Sequence, residues 1–284
     1  MHTKVVYILG LGRSGTTLLD IVLGNMESAI SCGELNRYPH EEGRPYQYPE
    51  DHPAQKLWMD IKVEFGARYP NTDWKRMVEL HRNFEFHGQF FFNYLGIYNK
   101  THFFEYLDFV ERVYELIAEK TGQHVLIDSS KYSSRALSIG RSKKVEVAYL
   151  YIKRRPSSVV ASFAKKDVEQ NSKSWFGANL YYFMASKLCH LAYWRLKGNH
   201  KAVSVRYEDL MNDPKKYFGV IGETLDVDPS MIISKLESST PFSGGTIYYG
   251  NRVRLQEEVS LRPPSKKPTG MGAGLSDLIN FIWY

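Results

Sequence analysis

Gly10-Leu11-Gly12-Arg13-Ser14-Gly15-Thr16-Thr17 places three glycines, an arginine and three hydroxyl side chains in eight consecutive positions. The chemistry of such a run is anion binding. Glycines let the chain turn so that successive backbone N–H groups converge, and a helix beginning just beyond adds the positive end of its dipole. An ordinary strand-to-helix turn accounts for the glycines but not for the clustered Arg13, Ser14, Thr16 and Thr17. A nucleotide kinase reads G-x-x-x-x-G-K-[ST] at this place; Gly10 and Gly15 fit, but Thr16 stands where the lysine belongs. Phosphoryl transfer from ATP relies on that lysine beside a magnesium ion. No second acidic strand end offers ligands for the metal, and no metal site is expected.

A second candidate anion site follows an apolar run at 145–152. Arg154 stands at its end, Pro156 opens a helix, and Ser162 lies eight positions after Arg154. A strand-end arginine and a serine two turns into the next helix can converge on one phosphate, with the guanidinium supplying a forked, permanent charge. Taken singly, Arg154 and Arg155 read better as surface charges and Ser162 as a tolerated helix serine. Asp128-Ser129-Ser130-Lys131 ends another strand-like run. The carboxyl ends of strands in an open α/β sheet face the ligand crevice, which puts Lys131 there; an Asp128 helix cap and a solvated lysine are the plain alternative. Arg135, one turn on, reaches either substrate or nothing.

GRSGTTLL after a first strand closely resembles the 5′-phosphosulfate loop of sulfotransferases that use 3′-phosphoadenosine 5′-phosphosulfate (PAPS), of the carbohydrate, tyrosylprotein and bacterial types. By that resemblance Arg13, Ser14, Gly15, Thr16 and Thr17 hold the 5′-phosphosulfate. R-x-P followed by serine resembles the family's 3′-phosphate motif, giving that role to Arg154 and Ser162, with Arg155 pointing elsewhere. Tyr207, in a YEDL-like stretch, then lies near the adenine or serves as a buried structural tyrosine. Gly250-Asn251-Arg252-Val253-Arg254 resembles a late basic loop over the 3′-phosphate, Arg254 ahead of Arg252. Cys32-Gly33-Glu34 resembles the CGE segment of tyrosylprotein sulfotransferases, which makes Glu34 the catalytic base; the alternative is a surface pair with Arg37. DSSK resembles a bacterial-type variant in which Lys131 meets the departing oxygen, and Arg13 assists.

The implied reaction moves a sulfuryl group from PAPS to a hydroxyl of a carbohydrate, lipid, peptide tyrosine or metabolite, leaving adenosine 3′,5′-bisphosphate. No match exists to the motif around the histidine base of aryl and steroid sulfotransferases, so His81, His87, His102 and His124 are expected to be structural or exposed. The rival readings are a P-loop ATP- or GTP-dependent kinase and a non-catalytic nucleotide-binding module.

The elements that must position these residues alternate. Strand-like runs fall at 5–9, 29–32, 125–128, 145–152 and 202–206, separated by helical stretches, among them 101–120, 136–140 and 174–197. In 101–120, Phe104, Leu107, Val110, Tyr114 and Ile117 recur at helical spacing and predict a core-facing stripe. The pattern predicts a three-layer α/β/α fold with a mainly parallel sheet of about five strands, related to the P-loop nucleotide kinases. No repeat or linker divides the 284 residues, and one domain is expected. The aperiodic stretch 38–53 is expected to be a loop covering the site and touching the acceptor.

A net charge of +6 suits a polyanionic ligand. The densest basic segment, from Arg262 to Pro268, carries three prolines and predicts a mobile tail over 262–284, not a nucleic-acid surface. Cys32 and Cys189 form neither a disulfide framework nor a zinc set. No run is long and apolar enough to span a membrane, and the start of the chain runs directly into a strand, so the cytoplasm is the expected compartment.

Overall fold

The computed structural model describes residues 3–45, 48–164, 172–263 and 267–284. Five parallel strands, β1 (Lys4–Gly10), β2 (Ala29–Gly33), β3 (Val125–Lys131), β4 (Glu146–Lys153) and β5 (Ala202–Arg206), form one sheet in the order β2-β3-β1-β4-β5. Every β1 residue is buried, because β1 pairs on both edges and is covered on both faces. Val5, Tyr7 and Leu9 point into one layer and Val6 and Ile8 into the other, the period-two alternation of a strand.

The first layer is built from α2 (Pro53–Arg68), α3 (Trp74–Glu85), α4 (Phe90–Leu95), α5 (Lys100–Thr121), α6 (Ser133–Ile139) and part of α8 (Trp175–Lys197). The second holds α1 (Thr16–Leu23), α9 (Tyr207–Asn212), α10 (Pro214–Leu225) and α11 (Ser230–Glu237). Beside α8, α7 (Pro156–Ala164) packs against both α8 and α12 (Met271–Ile279).

Local signals set these bounds. The Asn99 side chain accepts the His102 N–H at the start of α5, and Gly122, at φ 68°, ends it. In α5 Leu107, Val110, Tyr114 and Ile117 are buried as their spacing predicts, at about 1.5–3 kcal/mol for each fully buried apolar side chain. Phe104, in the first turns of α5, faces solvent instead.

In the stretch after Arg37 the Tyr38 and Tyr48 rings are buried in the first layer, and Tyr48 OH donates to Ile247 O at 2.6 Å. Aromatic rings that size contribute more inside the core than over water. Near the end of the chain the Asp277 carboxylate accepts the Ser157 N–H at 2.9 Å and Tyr284 OH donates to Glu208. Residues 46–47 of the loop and 264–266 of the basic segment lie outside the described residues. Among the described residues no helix is long and apolar enough to cross a membrane.

Candidate active site

The carboxyl end of β1 lies between β3 and β4, where the connections leave in opposite directions and open a crevice. Beyond it the Ser14 N–H donates to Leu11 O at 3.2 Å, closing a tight turn. Arg13, at φ 67°, and Gly15, at φ 88°, are left-handed. For Arg13 that conformation costs about 1–2 kcal/mol, strain of a kind that collects at functional sites. A Cβ on Gly15 would fall 2.6 Å from the Tyr207 ring, so only glycine lets Tyr207 rest on the loop. Tyr181 of α8 accepts the Gly12 N–H at 3.2 Å, and burial pushes its phenol up to about 12.

Arg154 leaves β4 on the neighbouring side. Its Nη1 donates to Arg13 O at 2.8 Å, its guanidinium lies 4.5 Å above the Tyr207 ring, and its buried Nε has no hydrogen-bond partner. Ser162, two turns along α7, lines the same cavity, whereas Arg155 does not and donates its backbone N–H to Glu208. Gly250, Asn251 and Val253 reach the cavity wall, but Arg252 is exposed on a short turn. Arg254 is buried, its Nη1 donating to Gly250 O at 2.5 Å and its guanidinium lying 5.5 Å over Tyr48. That arginine shapes the loop from within, because a buried guanidinium takes the nearest carbonyls.

Glu34 and Lys131 close the other end. Gly33, at φ 73°, turns the chain after β2 and donates its N–H to Asp20 Oδ2 at 2.9 Å; burial holds the Asp20 carboxyl well above the usual range. Glu34 N–H donates to Tyr249 O at 2.8 Å, and the Glu34 carboxylate pairs with Lys131 Nζ. Arg37, the alternative partner, instead lies 4.9 Å over the Tyr249 ring. Lys131 is itself left-handed, at φ 72°.

A buried network holds this turn. Ser130 Oγ donates to Asp128 Oδ1 at 2.5 Å and accepts the Asn36 N–H at 3.0 Å, tying β3 to the segment after Glu34. Asp128 also takes Tyr114 OH at 2.6 Å and Arg135 Nη2 at 3.0 Å, and Arg135 pairs with Glu85. Arg135 is therefore a structural cation, 3% exposed. Burial raises the Glu85 carboxyl, but Arg135 and His81 outweigh it and hold it at about 2. His81 stands 2.9 Å from Glu85 and 3.0 Å from His40; burial, then His81 and Arg37, bring the His40 imidazole down to about 4.

The cavity these residues enclose has a volume of about 600 Å³. It brings together Arg13, Gly15, Thr16, Thr17, Glu34, Lys131, Arg154, Ser162 and Tyr207; Ser14 is buried beneath the loop and off the wall. None of the described residues of 38–53 lines it. Phe86, His87, Tyr132, Tyr181 and Tyr249 do, and sequence reasoning missed them as wall residues. His87, expected to be structural or exposed, is lowered by burial and sits with its ring 5.0 Å from that of Tyr132. The available signal was for Tyr132, next to Lys131; Tyr181 was hidden among the apolar positions of α8.

No curated protein sequence matches the chain. Among solved structures, the sulfotransferase domain from the curacin biosynthetic pathway superposes with a TM-score of 0.50 at 17% identity, covering 97% of this chain and 96% of its own. The sulfotransferase domain of the Synechococcus PCC 7002 olefin synthase gives 0.50 at 19% identity, with 98% and 88% covered. At such identities the likeness is one of fold. The sequence model described as the sulfotransferase family matches residues 6–230, most of the chain, across the loop, the Glu34 and Lys131 turns, Arg154 and Ser162. The chain belongs to the sulfotransferase family.

Proposed function

We propose that the cavity binds PAPS and passes its sulfuryl group to an acceptor hydroxyl, leaving adenosine 3′,5′-bisphosphate. One observation carries this reading: the glycine loop, Arg154 with Ser162, and the Glu34–Lys131 pair come from separate stretches of chain yet line one cavity. The residues fit the donor, because the Arg154 Nε on that wall is buried without a partner, which a phosphate oxygen would supply.

When bound, PAPS supplies an activated sulfuryl group with a phosphate as leaving group. The N–H groups of 15–17 and the α1 N-terminus hold the 5′ side, with Arg13 adding charge. Arg154 and Ser162 hold the 3′-phosphate, and Tyr207 bounds the adenosine. Since Arg252 and Arg254 do not line the cavity, the reading gives them no contact. Glu34 takes the proton of the acceptor hydroxyl. Lys131 orients that carboxylate and sets positive charge where the leaving oxygen develops negative charge.

Calorimetry tests the donor. Adenosine 3′,5′-bisphosphate should bind at least about tenfold tighter than AMP, since a charged hydrogen bond contributes about 1.5–3 kcal/mol. Equal affinities would remove the 3′-phosphate site. Transfer from labelled PAPS should also persist in excess EDTA; activity restored only by magnesium would favour the kinase reading.

A further inference from the structure

The mouth of the cavity is flanked by surfaces that water alone does not explain. Along α8, Tyr181, Ala185 and Cys189 line the cavity at four-residue spacing. Next to that ridge Phe176, Leu180 and Met184 face solvent, each more than half exposed. Lys187, Leu191 and Trp194 continue the stripe at spacings of three and four. On the other side Phe86 and His87 line the cavity, and α4 directly after them leaves Phe91, Phe92 and Leu95 more than half exposed. The two helices adjoin: Arg195 of α8 lies 5.8 Å over the Tyr94 ring of α4, and both helices pack on α6. Single exposed apolar residues are ordinary, but a contiguous set around a binding cleft marks an interaction surface.

The same elements have a one-sided charge. Residues 86–104 and 172–200 contain no Asp or Glu, although the chain holds 31. They contain Lys100, Lys173, Lys187, Arg195 and Lys197. Exposed helices of proteins that meet only water usually carry both signs. In a two-fold contact between copies, a patch meets itself, so this face would oppose its own cations with no acid on these elements to pair them. Aromatic and aliphatic side chains interspersed with lysine and arginine suit the interface of a bilayer with anionic headgroups, on which a protein lies without spanning it.

We propose that this apolar, acid-free face docks on the surface of an anionic bilayer, with the cavity mouth turned toward the headgroups. The docking stands on the surface itself. Its consequence, that hydroxyls carried by bilayer lipids are the acceptors presented to Glu34, rests on the reading of the site given above.

Vesicle sedimentation of the full chain, without donor or acceptor, tests the docking independently of the nucleotide calorimetry. Vesicles of phosphatidylcholine with about a third phosphatidylglycerol should bind at least roughly tenfold more tightly than phosphatidylcholine alone, and high salt should weaken that binding. Phe92→Glu with Met184→Glu should abolish sedimentation while leaving the melting temperature unchanged. Lys100→Glu with Lys187→Glu, which alters only exposed side chains, should remove the preference for anionic vesicles and decides the matter if the first pair fails to fold. Equal binding to both vesicles, binding to neither, or charge-reversed protein that behaves like wild type would overturn the proposal. A solution dimer that Phe92→Glu converts to monomer would also overturn it, by assigning the face to a second copy.

Discussion

Glu34 and Lys131 form an ion pair at the edge of the cavity although 97 positions separate them in the chain. Each follows directly on a strand end or lies in it, and the parallel pairing of β2 with β3 brings those ends side by side. The pair is mostly, not wholly, shielded, with side-chain exposures of 16% and 18%. A carboxylate and an ammonium so placed are held in reach of a substrate without being sealed from it.

Glu34→Gln should abolish turnover and spare nucleotide binding. Glutamine keeps the shape and one acceptor oxygen but takes no proton at neutral pH, and loss of a general base costs about 10²–10⁴ in rate. Transfer from labelled PAPS over a broad acceptor panel, with calorimetry on adenosine 3′,5′-bisphosphate, measures both. More than about a tenth of wild-type turnover would take Glu34 out of the mechanism.

Lys131→Gly separates function from stability. The left-handed backbone at Lys131 costs about 1–2 kcal/mol for a residue with a Cβ, and glycine relieves it while adding about 0.4–1 kcal/mol of unfolded-chain entropy. Losing the pair with Glu34 offsets this by up to about 1 kcal/mol, so stability by denaturant titration should stay within about 1 kcal/mol of wild type. Turnover should fall by about 10² or more, because the cation at the leaving oxygen is gone. Retained activity would make Lys131 a bystander.

Arg154→Ala should erase the preference for the bisphosphate over AMP, not simply weaken both. The guanidinium meets the 3′-phosphate in the proposed mode, so the ratio of the two dissociation constants should drop toward unity. A variant that loses affinity for both ligands equally would show that Arg154 acts on the loop, through its bond to Arg13 O, and not on the phosphate.

The His40–His81 pair gives the fold an acid sensitivity. The His40 imidazole is held below its ordinary 6.5, at about 4, so the unfolded chain binds the proton more readily than the folded one. Its contribution to stability is then fully present above about 6.5 and is lost as pH falls through about 4. His40→Gln should flatten that part of the stability profile in urea titrations between those limits. An unchanged slope would place the titration elsewhere.

The loop after β1 was legible in the sequence, because glycine spacing, hydroxyls and a helix start within eight residues express a local backbone requirement. The sheet was legible too: a strand buried on both faces must be apolar at nearly every position, as 5–9 and 145–152 are. Arg154 and Ser162 were within reach because one strand–helix joint carries both. Contacts across the layers left no such trace. Nothing local distinguishes Arg254, turned inward onto Gly250 O, from Arg154, which lines the cavity. Tyr181 falls in the apolar pattern of its helix, seven positions before the buried Leu188, and only the placement of α8 beside Gly12 sets it on the wall. Arg135 and Glu85, 50 positions apart, are charged residues that sequence alone assigns to the surface. They are buried because α3, α5 and α6 meet at β3, and a charge leaves water only where the fold delivers its partner.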